Sequence, residues 1–532
     1  MNAAQIVLRA LAKFDLSFLN AFVVAMAICF FCPATTCAQP GSPIWTNRYD
    51  SLSHYDDGAI AICVSGSGIV YVTGNSSDSS NSLSSSLHSD YATIAYSPTG
   101  LPLWTNRYSG PGNGVDYDDF VTGIAADGSG DVYVTGYSIG DGSWEDYATI
   151  GYSPVGLPLW TNRYYNVPGN KSDKASAIAV DNYGNVYVTG SSMDTNYGWE
   201  SATIAYSSAG MRLWITRNGP ANSSASALAV GSNGNVYLTG SSTGIGSSLD
   251  YATIAYSNAG LPLWTNYYNG PGNSEDVSEA IFVGGNGNVC VTGYSENAFG
   301  YADYATIAYS SNGMPLWTNR YDGIGGNNYP RAVAIDGGGN IYVTGESYGL
   351  GNSWQYATVA YSNAGLPLWT NRYSGLANGN SDATGIAVDG RGHVYVTGNS
   401  DNDYATLAYS SSGVPLWTNL YNGPGSGFDY ARAVTVDTYG NVYVTGSSEG
   451  TTGCSDYATI KYAGLLTGPS LSPIPLQFRT IGDQIVLSWT NAAFSLQSAP
   501  TVVGGYTNVL GALSPYTNEF SGAQRYFRLK TK

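Results

Sequence analysis

Charge is what this chain has least of. Aspartate, glutamate, lysine and arginine make up 11% of its 532 residues, against the ~25% usual in soluble domains. Lys+Arg number 20 and Asp+Glu 37, for a formal charge of −17. A chain with so small a basic footprint is not built for a phosphate backbone, which excludes nucleic acid as a partner. Histidine is scarcer still. His54, His88 and His393 fall in three separate turns, so no nucleophile–histidine–acid triad is recognisable. Of six cysteines, Cys29, Cys32 and Cys37 lie in the first 38 residues, and Cys63, Cys290 and Cys454 stand in different repeats. That spacing supports neither a disulfide framework nor a structural metal site. After residue 38 no apolar run is long enough to span a bilayer as a helix.

The first 38 residues read as a secretory signal. Arg9 and Lys13 give a positive start, Phe18 to Phe31 is apolar, and "TCA" at 36–38 offers small residues for cleavage. Thr36 fits a lipid-attachment signal at Cys37 badly. The expected address is therefore secreted, extracellular or cell-envelope.

The remainder has 68 glycines and 45 tyrosines, a composition of turns and strands. Four phrases recur every 48 to 62 residues: "AIAVD", "NVYVTG", "DYATIAYS" and "LPLWTNRY". Each is short, β-rich and bounded by glycine, asparagine or proline, so each reads as a strand. The unit is four antiparallel strands, a to d, and weak alternation suits sheets buried on both faces. Such sheets stacked radially make a β-propeller. Strand a, built of alanine, isoleucine and valine, suits the crowded inner wall. Strand d carries a tryptophan in every copy, expected as a core wedge.

The fourth phrase first appears alone, as "PIWTNRY" at 43–49, and the eighth "DYATIKY" (456–462) has no strand d after it. The ring closes if 43–49 completes the last blade, which otherwise keeps an unpaired edge. The predicted fold is all-β: an eight-bladed propeller over 39–465, a proline-rich linker at 466–476, and a small β-sandwich at 477–532. A monomer is expected.

"DNYGNVYVTG" (181–190), "DTYGNVYVTG" (437–446) and "NGPGNSED" (269–276) resemble the SBBP-type propeller repeat of secreted bacterial proteins. The resemblance covers roughly 40–465. It implies a secreted or surface-attached propeller and no reaction; its name implies seven blades, where the count gives eight. The carboxy-terminal strands "DQIVLSW", "FSLQSA", "YTNV" and "QRYFRLK" resemble an immunoglobulin- or fibronectin-like module with a basic end.

Loops d–a and b–c share one face of a propeller, and here they hold all the length variation. Loops carry function on rigid scaffolds, so this is the candidate binding face. Its aromatics are Trp144, Tyr197, Trp199, Phe299, Tyr301, Tyr348 and Trp354. Its acids include Asp116, Asp118, Asp119, Asp276, Asp382 and Asp429. Rings that stack on sugar C–H faces and acids that bond hydroxyls suit polysaccharide, and such aromatics also anchor protein partners. Three readings follow: a binding or scaffold module for polysaccharide or extracellular protein, a polysaccharide hydrolase or lyase using loop acids such as Asp118 and Asp119, or a spacer without ligand. No catalytic residue is assigned. The recurring "DYAT" aspartates (Asp90, Asp146, Asp250, Asp303, Asp403, Asp456) could gather cations; the simpler expectation is that each caps its own loop by accepting backbone N–H groups. No metal site is assigned, and calcium is the sole ion kept in view.

Overall fold

The computed structural model describes residues 39–465, apart from 52–53, 79–87, 112–117, 141–143, 167–170, 219–222, 245–247, 350–352 and 376–378. Of the last part it describes 477–481, 484–488, 494–499, 507–509, 512, 515–519 and 526–531. The proposed signal, the linker and Asp116 lie outside the described residues.

Thirty-two strands form eight four-stranded antiparallel sheets. Blade 1 runs Asp57–Val64, Val70–Asp78, His88–Tyr96 and Pro102–Tyr108, strands a to d. Blades 2 to 7 repeat this over 120–164, 173–218, 224–268, 276–321, 328–373 and 381–421. Blade 8 takes Asp429–Val436, Val442–Glu449 and Ser455–Tyr462 as a, b and c, and Pro43–Tyr49 as d. The closing strand pairs antiparallel, Thr46 opposite Ile460 and Tyr49 opposite Tyr457. Each strand a touches the a strands of both neighbouring blades, including that of blade 8 against blade 1. They therefore line a central channel, with strand d at the rim.

Strands b and c are buried almost residue by residue, as sheets covered on both faces must be. Every a–b pair slips register just after the residue opposite the strand-b glycine, which presses strand a against that glycine. A Cβ on Gly74 would lie 2.1 Å from the carbonyl oxygen of Gly58, so only glycine fits there.

Blades are joined by a repeated set of contacts. The strand-d tryptophan packs on the positive-φ glycine of the next blade's c–d turn, as Trp45 does on Gly100 and Trp104 on Gly156. Its indole N–H donates into that turn (Trp104 to the Pro154 carbonyl, 3.0 Å), and the asparagine two residues on donates to the glycine carbonyl (Asn106 to Gly156, 2.7 Å). The "DYAT" tyrosine reaches the next blade's strand c, as Tyr147 does with the Ala202 carbonyl (3.2 Å). Each bond contributes about 1 kcal/mol net and each aromatic contact a similar amount. The set recurs round the ring, with blade 3 carrying Thr216 for the asparagine and Ser201 for the tyrosine.

The carboxy-terminal strands form a separate unit of two three-stranded antiparallel sheets. One orders Gln477–Ile481, Gln484–Ser488 and Tyr516–Glu519; the other orders Thr507–Asn508, Phe494–Ala499 and Tyr526–Thr531.

Candidate binding face

The a–b and c–d turns are short repeats of one another. Asp181, Asp336, Asp389 and Asp437 each begin an a–b turn and accept N–H groups two and four residues on. That leaves the opposite face, of d–a and b–c loops, as the variable one.

The predicted aromatics sit there in different settings. Trp144 (63% exposed) and Phe299 (85% exposed) stand free of the body. Tyr197, at the tip of the Asp194–Gly198 turn, carries the Lys171 ammonium 3.4 Å over its ring. Tyr301 closes a turn in which Asn297 accepts the N–H of both Phe299 and Tyr301. Tyr348 and Trp354 are opposed across a b–c hairpin and pack edge to face at 5.4 Å. Trp354 also lies on Tyr329, which meets Tyr294. Trp199 is half-buried at the start of its strand.

The predicted acids are mostly occupied. Asp119, Asp276 and Asp429 are buried, and each accepts a loop N–H at 2.6 Å, from Gly110, Gly270 and Gly423. Asp118 accepts the Ser89 N–H at 2.9 Å, so the adjacent pair Asp118 and Asp119 turn to different loops. Asp382 differs. It sits beside Glu346, and burial together with that second carboxyl pushes its pKa up to about 6, against the pull of Arg331.

Five acids at the "DYAT" position are held otherwise than by the expected loop N–H groups. They pair with the arginine of "WTNRY" across the c–d hairpin: Asp90 with Arg107, Asp146 with Arg163, Asp303 with Arg320, Glu200 with Arg217, and Asp456 with Arg48 of the closing strand. Arg163 also donates to the Ser138 hydroxyl and carbonyl and to the Tyr108 hydroxyl of the preceding blade. A carboxylate beside a guanidinium in a half-buried hairpin bonds it in preference to loop amides, because the charged pair is the stronger. The interval of 17 residues between acid and arginine carried the signal. Blades 4 and 7 have Tyr267 and Leu420 in place of the arginine.

Strand positions, invisible to a reading of loops, add the channel mouth. An outer-end residue of strand a and the residue after "VTG" lie opposite each other there: Phe120 with Tyr137, Lys174 with Ser191, Tyr329 with Glu346, Asp382 with Asn399. Among blades 2 to 4, Tyr137, Lys174, Ser176, Ser191, Trp199 and Ser224 line an open cleft of about 570 Å³. Lys174 lies 5.0 Å from the Tyr137 ring centroid and 3.2 Å from Glu145. Glu145 is half-buried, but its bonds from Ser172 and Lys174 hold its carboxyl below the usual range. Among blades 5 to 7 the mouth is acidic. Arg331 pairs with Glu346 at 2.6 Å and approaches Glu279 at 3.9 Å, and burial raises Glu279.

Residues 104–142, 164–198 and 416–451 match the SBBP beta-propeller repeat family. No curated protein sequence matches the chain. Among solved structures it is similar to the propeller domain of the trilobed protease of Pyrococcus furiosus, which has an open velcro topology (8% identity, 66% of this chain and 99% of that one, TM-score 0.39). Drosophila Plexin A in complex with Semaphorin 1b (11%, 80% and 87%, 0.40) and the polysaccharide lyase Uly1 (12%, 63% and 88%, 0.41) are similar at the same level.

Proposed function

We propose that the chain is a secreted or cell-surface binding module whose propeller holds a polysaccharide at the mouth of its channel. The observation that carries this is the cleft of about 570 Å³ among blades 2 to 4, a volume typical of ligand sites. It brings two aromatic rings, Tyr137 and Trp199, together with serine hydroxyls and one ammonium. Sugar rings present apolar C–H faces and a fringe of hydroxyls, and this lining offers a partner to each. The exposed Trp144, Tyr197 and Phe299 extend the apolar surface around the face. The carboxy-terminal unit, read as an immunoglobulin-like accessory module, ends in a segment rich in basic residues.

The test is retention of the chain lacking residues 1–38 on a panel of immobilised polysaccharides, with reducing ends measured in the same samples. Retention that Trp199→Ala removes supports the reading, and retention on none of them counts against it. One observation favours a hydrolase or lyase: Asp382 and Glu346 share a site where a carboxyl keeps its proton to about pH 6, as a general acid requires. New reducing ends that Asp382→Asn abolishes would establish that reading.

A further inference from the structure

We propose that the closing junction of the ring binds a divalent cation, and that the chemistry of its donors selects calcium. Carboxylate oxygens of Asp50, Asp57 and Asp456 converge there, the three ligand atoms within 4.8 Å of one another. Three hard anionic oxygens suit calcium or magnesium rather than a softer metal. A loop-built site of this kind favours calcium, which tolerates irregular coordination.

The eight junctions act as internal controls. Each involves the residue after strand d, the residue at or just before the start of the next strand a, and the acid position of strand c. At the other junctions these are Ser109, Asp119 and Asp90; Tyr165, Asp173 and Asp146; Asn269, Asp276 and Asp250; Asp322, Asn328 and Asp303; Ser374, Ser381 and Gln355; and Asn422, Asp429 and Asp403. The junction after blade 3 has Ser223 and Glu200 at the second and third positions. Among the described residues, three carboxylates meet only where the ring is closed by the amino-terminal strand.

A second observation concerns Asp57. The residue is 1% exposed, and its Oδ1, like that of Asp276 after blade 4, is buried with no hydrogen-bond partner; only at the closing junction do two further carboxylates stand beside it. The accepting oxygen is Oδ2 in each of the three acids: from the Ser51 N–H in Asp57, from Arg48 in Asp456, and from the His54 ring in Asp50. A buried carboxylate oxygen without a donor is costly, and a cation removes that cost. Asp50 and Asp57 belong to the start of the propeller and Asp456 to its end, so the ion would tie together two segments that no peptide bond joins at this point.

The probe is terbium, whose emission is sensitised by nearby tyrosine, with calcium as competitor. The purified chain is expected to give one terbium site that calcium displaces, in the weak range of about 10⁻⁴ to 10⁻³ M found for extracellular modules. Asp50 is exposed on its loop, so Asp50→Asn is expected to fold, which circular dichroism checks. It should weaken terbium binding at least about tenfold through loss of one charged ligand. Asp322→Asn, at the equivalent position after blade 5, should bind as the wild type does. Calcium should also raise the melting temperature of the wild type and leave that of Asp50→Asn unmoved. Absent terbium emission, emission unchanged in Asp50→Asn, or equal loss in Asp322→Asn would each overturn the proposal.

Discussion

The side-chain amide of Asn419 donates to the carbonyl of Gly41 at 2.5 Å, across 378 positions of sequence. It is the bond that Asn47 makes to Gly100 and Asn371 to Gly413 within the continuous part of the ring. The amino-terminal segment thus supplies both the outer strand of blade 8 and half of the turn that blade 7 grips. The substitution is incomplete at one atom: Trp417 Nε1 is buried without an acceptor, where its seven counterparts donate to a turn carbonyl.

Deleting Pro43–Tyr49 should lower the melting temperature sharply, on the order of 10 °C, because it removes a whole strand pairing, the Trp45 wedge and the Arg48–Asp456 bridge. A synthetic peptide of that sequence, added in trans, should restore part of the loss. Calorimetry checks both; an unchanged melting curve would show that the ring does not need the strand.

Arg163→Leu should destabilise by about 3 kcal/mol, the range for removing one partner of a buried pair. Its side chain is 18% exposed and that of Asp146 is 3% exposed. The double variant Arg163→Leu, Asp146→Asn should recover much of this, since the uncompensated charge is then gone. Urea titration of the three proteins measures the difference.

Asp173 gives a pH signature. Burial pushes its carboxyl up to about 6, with Asp146 adding to the rise. A carboxyl raised in the folded state favours folding below its unfolded value near 4, and that contribution is lost as pH rises through about 6. Melting temperature should therefore fall across this window in part because of Asp173. Asp173→Asn should flatten the fall, and blade 6 already carries Asn328 at this place, accepting from Ser347 as Asp173 accepts from Ser192. A profile as steep in the variant would remove Asp173 from the account.

Trp199→Ala should abolish polysaccharide retention while leaving the melting temperature within a few degrees, because Trp199 lines the cleft from the edge of its blade. Phe299→Ala should change retention little, since Phe299 stands on a turn in blade 5 and does not line the cleft. The same affinity columns read both. Equal effects of the two variants would move the binding surface away from the cleft.

The ring was legible because its information is repeated: eight copies of four phrases, one of them displaced, determine blade number, strand order and closure. The binding face was legible only in outline. Trp199 was found through its loop, but Tyr137, Lys174, Glu279, Arg331 and Glu346 lie on strands, and only their departure from the repeat marks them. The arginine partners of the "DYAT" acids stand 17 residues on, an interval that becomes a contact only once the c–d hairpin aligns the two strands. Asp276 and Asp429 looked like solvent-facing loop acids. In the fold they are first residues of inner strands, where burial turns a carboxylate into a fastener for the loop before it.

The grip of each strand-d tryptophan on the next blade's turn glycine bears on how such a chain can change in evolution. A joint of the same design on either side of every blade makes the blades interchangeable parts. One can be duplicated or lost by recombination between near-identical stretches without redesigning its neighbours. Ring curvature then limits the number of copies, and the seam at Gly41 and Asp456 is the one joint for which no other blade carries a spare.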